Sequence, residues 1–166
     1  RVDTHRFERD ELTIERGELQ GVKKDMAVVG PMGVVGIVIS TSNNYAVVMS
    51  MLNRQSRLSA RLKKTGETET VFWDGINPSY VMMNKIPKSV QVAIGDTVVT
   101  SSLSYLFPPN IMVGTVAEVV DNKSTNFYTL RLKTATNFYN VEHVLVVENV
   151  LKDEQKRLEA ATKIND

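Results

Sequence analysis

The chain contains no cysteine and no long apolar run, and both absences restrict what it can be. Without cysteine it has no disulfide framework, no thiolate metal site and no cysteine nucleophile. No stretch of about 18 or more apolar residues occurs, so no bilayer-spanning helix is expected within this sequence. The sequence begins with Arg1 rather than Met, and we therefore expect an excised or processed piece of a longer chain, which could have an anchor upstream.

Histidines and basic clusters are also scarce. The histidines are His5 and His143, and no acidic cluster at ligand spacing accompanies them, so neither a metal site nor a cofactor is predicted. Basic and acidic residues number 20 and 19. Nucleic-acid binding requires a concentrated basic surface, and the pairs Lys23-Lys24 and Lys63-Lys64 are too short to form one. Nucleic acid is therefore not expected as a partner.

Catalytic patterns are equally thin. Gly95-Asp96-Thr97 is similar to the Gly-Asp-Ser of trypsin-like proteases, whose fold also has two β-barrels, but Thr97 stands at the nucleophile position. A triad would also need a histidine and a buried acid placed beside it. Lys64-Thr65-Gly66 matches one element of the penicillin-binding and β-lactamase motifs, whose Ser-x-x-Lys and Ser-Asp-Asn are missing. We predict no enzyme; the alternatives are a trypsin-like two-barrel hydrolase and a generic β-barrel binding module.

Valine is abundant, with 24 residues, most of them paired or alternating between Gly, Pro, Asn and Asp. This composition is typical of short strands and tight turns. Two stretches repeat one plan of a turn acid, a valine pair and a later glycine. These are Asp25, Val28-Val29 and Gly36 in the first copy, and Asp96, Val98-Val99 and Gly114 in the second. We predict two β modules built alike, with a turn at Gly95-Asp96 and a bulge or close backbone approach at Gly36 and Gly114.

The predicted fold is all-β: two small antiparallel β-barrels of related plan, followed by a short C-terminal helix. Short strands at regular spacing without intervening helices favour barrels, which close their own edges. The clearest break lies at 74–78, so residues 10–76 are predicted to form the first barrel and residues 77–148 the second. Strand exchange between the two barrels stays open.

The two ends of the chain differ from this β pattern. Residues 1–10 are expected to form a leading segment, with an edge strand carrying Phe7. Residues 149–166 carry good helix formers and a loose apolar stripe, which predicts a helical tail that Asn149 could cap. Docking of this helix onto a neighbour and fraying in solvent both stay open.

A loop over Ser101–Asn110 contains three large apolar side chains, Tyr105, Leu106 and Phe107. They either plug an open barrel end or anchor a partner, since aromatic anchors supply much of the energy of many interfaces. Phe138 and Tyr139 form a second patch by the same reasoning. We predict these five residues as partner-binding.

Five stretches occur in this order along the chain: Leu12-Thr13-Ile14 with Gly17 and Gly21-Val22, Met32-Gly33-Val34-Val35-Gly36, Gly95-Asp96-Thr97-Val98-Val99-Thr100-Ser101, Phe107-Pro108 and Ile111-Met112-Val113-Gly114. Together they resemble the rod shape-determining protein MreC family. The resemblance covers about residues 10–147 and is carried by order and spacing as well as by residue type. Two positions depart from the family pattern, because Ser102 and Asn110 stand where the family usually has glycine.

The resemblance implies a bitopic protein at the periplasmic face of the bacterial inner membrane, whose transmembrane helix and coiled coil precede two periplasmic barrels. It implies a non-catalytic scaffold of the cell-elongation machinery that controls cell shape. Such a scaffold associates with itself as a dimer or filament. It also binds the elongation-specific penicillin-binding protein, which it activates for peptidoglycan synthesis, and other membrane proteins of the machinery.

Overall fold

A computed structural model describes residues 2–3 and 11–163 of the chain. His5 and the expected edge strand around Phe7 lie outside the described residues. Within the described part there are twelve β-strands and one α-helix, α1 (Lys152–Lys163), with a 3-10 turn at Glu18–Gln20. The strands are β1 (Val2–Asp3), β2 (Glu11–Ile14), β3 (Ala27–Val29), β4 (Val34–Thr41), β5 (Ala46–Ser50), β6 (Leu58–Leu62), β7 (Thr68–Phe72), β8 (Tyr80–Pro87), β9 (Thr97–Thr100), β10 (Met112–Asp121), β11 (Phe127–Thr134) and β12 (Leu145–Val147).

Six of the strands close into an antiparallel barrel in the order β10-β11-β8-β7-β6-β9. Strand β6 shows why: Leu58, Ala60 and Leu62 are buried, whereas Ser59 and Arg61 between them are partly exposed. Alternation with period two places one set of side chains inside the barrel and the other in solvent. The prediction of an antiparallel barrel is confirmed for this part of the chain.

The remaining strands form an open six-stranded sheet, in the order β1-β2-β5-β4-β3-β12. Strand β12 comes from the far end of the chain and pairs with β3, with Val146 opposite Val28. In the described residues the first module is therefore an open sheet, and not the closed barrel that was expected there. Its edge strands β1 and β12 stand at opposite ends of the strand order.

The sheets do not divide where the sequence placed the boundary, between residues 76 and 77. Strands β7 and β8 flank that position and pair with each other inside the barrel, with Val71 opposite Met83. The chain instead changes sheet within 51–57, after β5, and returns to the open sheet after β11. A tight turn between neighbouring strands and a linker between domains carry the same Gly, Asn and Pro signals. One core of buried side chains runs through both sheets.

The internal repeat is present in the backbone pairing. Val28 lies opposite Gly36 in the open sheet, and Val98 lies opposite Gly114 in the barrel. The amide of Asp25 donates to the Val38 carbonyl at 2.8 Å, as the amide of Gly95 donates to the Val116 carbonyl at 2.7 Å. Asp25 and Gly95 also share a left-handed backbone, with φ of 70° and 93°. Asp25 is thus the structural equivalent of Gly95, whereas the sequence pattern aligned it with the next residue, Asp96.

The two internal glycines allow close backbone crossings. A Cβ at Gly36 would lie 2.1 Å from the Met49 carbonyl oxygen, and one at Gly114 would lie 2.2 Å from the Lys133 oxygen. No side chain fits such a distance, so each glycine lets a neighbouring strand approach closely. A bulge in the pairing of β9 with β10 falls next to Gly114.

Candidate binding surface at the joint of barrel and sheet

One end of the barrel faces the open sheet. At this end β9 passes into the loop 101–111, and β11 passes into the connection 135–144. The hydroxyl of Thr136 is buried and donates to the Val34 carbonyl at 2.8 Å, and the position of a Cβ at Gly33 is 2.3 Å from the Met112 oxygen. We call this contact region the joint. The two predicted aromatic patches, Tyr105-Leu106-Phe107 and Phe138-Tyr139, lie in these two connections.

The loop 101–111 has a defined shape because side-chain hydroxyls bind its backbone. Thr100 is fully buried; its hydroxyl donates to the Pro108 carbonyl at 2.6 Å and accepts from the Ile111 amide at 2.9 Å. The hydroxyl of Ser104 accepts from the amides of Leu106 and Phe107, at 3.2 and 3.1 Å. These bonds satisfy amides that the sheet ladder does not reach, and they fix the direction of the aromatic side chains that follow.

The five predicted partner-binding residues do not share one environment. Phe107 is 2% exposed and Phe138 is 9% exposed, and both belong to the common core. Tyr105 and Leu106 are half-buried, and Tyr139 is 57% exposed. The prediction that Phe107 and Phe138 contact a partner is therefore corrected, because both side chains are buried in the common core and a partner cannot touch them in this conformation. Tyr105, Leu106 and Tyr139 keep accessible surface at the joint.

The two departures from the family's glycine pattern have different structural consequences. Asn110 has a φ of 69°, a left-handed conformation that asparagine tolerates better than most residues. Its side-chain oxygen also accepts a hydrogen bond from the Arg61 guanidinium. Ser102 is not among the non-glycine residues with positive φ in the described chain, so serine is accommodated there without backbone strain.

Helix α1 lies against the loop 101–111, so the tail docks, at a place that the sequence did not indicate. The side-chain amide of Asn149 donates to the Tyr105 carbonyl at 3.1 Å, and the Tyr105 hydroxyl donates to the Glu159 carboxylate. The Lys156 amine lies 5.6 Å from the centre of the Tyr105 ring. The sequence showed an apolar stripe on this helix, but the helix docks through its polar side chains instead.

The residues of the hydrolase alternative are not brought together. The Asp96 carboxylate accepts the Ala93 amide at 2.8 Å in the turn before β9, so it serves as a turn residue. Thr97 begins β9 at the barrel end away from the joint, whereas His143 lies beside Gly30 near the β3–β4 hairpin. In residues 2–3 and 11–163 no group of three His, Cys, Asp or Glu side chains could hold a metal ion. Over the same residues no helix is long and apolar enough to cross a membrane.

A closed barrel joined to an open sheet, with accessible aromatic and aliphatic side chains on loops at the joint, presents a candidate binding surface. The family model described as "Rod shape-determining protein MreC, barrel core" matches residues 2–148. The chain therefore belongs to the MreC family, which confirms the resemblance seen in the sequence.

Relatives and solved structures agree with this family. The cell shape-determining protein MreC of Listeria monocytogenes is 29% identical over 142 residues, which is 84% of this chain and 48% of that protein. The chain thus spans about half the length of that curated relative. A solved structure named MreC superposes with a TM-score of 0.82 at 24% identity, covering 89% of this chain and 82% of that one.

Two further solved structures share the fold. One is the major periplasmic domain of the cell shape-determining filament MreC, with a TM-score of 0.65 at 18% identity, covering 81% of this chain and 84% of that one. The other is a complex between the penicillin-binding protein PBP2 and MreC from Helicobacter pylori. It has a TM-score of 0.65 at 17% identity and covers 84% of this chain and 87% of that one. At these identities the likeness shows the shared fold.

Proposed function

We propose that the chain is the barrel core of a periplasmic scaffold of the cell-elongation machinery, which binds a penicillin-binding protein and favours its active form for peptidoglycan synthesis. The observation that carries the proposal is membership of the MreC family over residues 2–148. A solved complex of a fold relative with a penicillin-binding protein supports the choice of partner. The relatives are named for determining cell shape, which supports a scaffold in preference to the hydrolase alternative.

We place the contact with this partner at the joint. Tyr105, Leu106 and Tyr139 offer accessible aromatic and aliphatic surface there, on loops held by a closed barrel. Such side chains lose little conformational entropy on binding, and rigid loops on a stable scaffold are common binding elements.

Self-association and membrane anchoring belong to the proposal for the whole protein. One fold relative is named as the major periplasmic domain of a filament, which supports both self-association and the periplasmic location. Closure of the first module into a barrel also stays a prediction, since β1 and β12 form open edges in the described residues.

Substitutions at the joint test the placement of the partner. Leu106→Ser and Tyr139→Ala are each expected to weaken binding to the purified periplasmic part of the elongation-specific penicillin-binding protein by roughly tenfold, since interface anchors contribute on the order of 1–2 kcal/mol. The matched control is Ile94→Ser, because Ile94 is 74% exposed in the turn before β9, away from the joint.

Titration calorimetry would give the affinities, and thermal unfolding would show that each variant is folded. Joint variants that bind like the unmodified chain while Ile94→Ser binds weakly would move the contact to the other barrel end. A chain that binds this partner with no measurable affinity would refute the proposed function.

A further inference from the structure

We infer that helix α1 is a latch that covers the Tyr105 side of the joint and must open before a partner can contact it. The inference rests on the proposed function, because it concerns the same surface. Helix α1 and the segment just before it contact Tyr105 with three side chains. These are Asn149 on the carbonyl, Glu159 on the hydroxyl and Lys156 over the ring.

A further contact ties the helix to the open sheet. The Lys152 amine lies 3.9 Å from the Asp25 carboxylate, in the turn that precedes β3. The groove between α1 and the rest of the chain is lined by apolar as well as charged side chains, including Met26 and Leu106. Helix α1 thus spans from the open sheet to the loop of the barrel, across the surface proposed for the partner.

The chemistry of the contact makes it reversible. No residue of α1 is buried, and the leucines on the helix and just before it stay in solvent, with Leu151 61% and Leu158 68% exposed. The docking therefore depends on surface hydrogen bonds and ion pairs, each of which stabilises little. A helix of 12 residues is also marginal by itself in water. Opening the latch removes no part of the core.

The latch is an addition to the family's core. The family model ends at residue 148, directly before Asn149, so the barrel and open sheet are complete without α1. The link between β12 and α1 is only residues 148–151, which keeps the helix close to its own joint after opening. A partner that needs Tyr105 competes with helix α1, which stays tethered beside it. The apparent affinity of the partner is its intrinsic affinity multiplied by the fraction of molecules in which the latch is open.

A charge-neutral double substitution on the docking side tests this. Lys152→Ala with Glu159→Ala removes the contacts to Asp25 and to the Tyr105 hydroxyl while alanine preserves helix propensity. The matched control is Glu154→Ala with Lys163→Ala, which also removes one acid and one base but from exposed positions of α1.

Two measurements separate the latch from the proposed function. The first is the rate of tyrosine nitration at Tyr105, mapped by mass spectrometry with exposed Tyr139 as internal reference. The second is affinity for the periplasmic part of the elongation-specific penicillin-binding protein. For the docking-side variant, both are expected to rise roughly threefold or more, because two surface contacts together shift the opening equilibrium by about that factor. The control is expected to match the unmodified chain.

Three results would overturn the inference. An unchanged nitration rate would mean that α1 does not shield Tyr105. Faster nitration with unchanged or weaker binding would mean that the helix shields Tyr105 without competing with the partner, and the proposed function would stand. If neither the unmodified chain nor the docking-side variant bound the penicillin-binding protein, the proposed function and the latch would both be refuted.

Discussion

Replacing Phe107 by alanine is expected to lower the free energy of unfolding by roughly 3–5 kcal/mol, the range found for truncating buried aromatic side chains. The ring is 2% exposed and is among the largest fully buried side chains. Burial of an aromatic side chain removes on the order of 150–200 Å² from water, worth about 4–5 kcal/mol at 25 cal/mol per Å². The loop cannot collapse into the cavity easily, because Ser104 holds the Phe107 amide at 3.1 Å.

Urea unfolding, followed by the fluorescence of Trp73, measures this effect. Trp73 is the single tryptophan; it follows β7 in the barrel, and its indole N–H donates to the Asn77 carbonyl at 3.1 Å. Leu103→Ala is the matched control, because Leu103 lies in the same loop but is 71% exposed, and its truncation is expected to cost within about 0.5 kcal/mol. A loss below about 1 kcal/mol for Phe107→Ala, or an equal loss for both variants, would refute the burial of Phe107 in the core.

Two other substitutions are expected to lower stability in the same assay. Gly114→Ala places a Cβ 2.2 Å from the Lys133 carbonyl oxygen and should cost roughly 1–3 kcal/mol by overpacking. The control Gly30→Ala should cost far less, because the nearest neighbour of its Cβ is 3.4 Å away, and equal losses would contradict the close crossing. Thr136→Val removes the hydroxyl that donates to the Val34 carbonyl and should lower the free energy of unfolding by about 1–3 kcal/mol. Thr162→Val, on the exposed face of α1, should leave the free energy of unfolding almost unchanged. No loss of stability for Thr136→Val would mean that this hydrogen bond does not hold the joint together.

Local patterns in the sequence were sufficient to predict the β class and an antiparallel barrel. The alternation of Leu58, Ala60 and Leu62 with polar neighbours specifies a half-buried strand wherever its partners lie. The repeated glycines could be recognised as well, because a glycine inside a strand has few structural uses besides a close approach or a bulge. Only the exact alignment of the repeat was displaced by one residue, since Asp25 and Gly95 share a backbone conformation and not a side chain.

The assignment of strands to sheets was not predictable from the same patterns. Gly75 has a φ of 83° in a turn between two strands of one barrel, yet its sequence surroundings are equally typical of a linker. Pairing between β12 and β3 joins residues more than a hundred positions apart, and no local signal encodes such a partner. Register and sheet membership depend on long-range packing, so a strong turn signal was interpreted as a domain boundary.

The same limit applies to the candidate site. Tyr105 and Phe107 are two residues apart in one loop, and composition does not distinguish the side chain that is buried in the core from the one that contacts α1. The distinction arises from the buried Thr100 hydroxyl and the Ser104 hydroxyl, which set the path of the loop. The docking of α1 through its polar face also opposed the pattern, because an apolar stripe normally predicts the buried side of a helix.

Burial and accessibility within the loop 101–111 give it two separable roles. Ser104 binds the amides of both Leu106 and Phe107, so one hydroxyl fixes the residue proposed to meet a partner and the residue that is buried in the core. Substitutions at Phe107 should therefore change stability and leave the affinity of the folded fraction intact, whereas those at Leu106 should change affinity more than stability. The latch follows the same logic, since α1 contacts the accessible half of the loop and no part of the core.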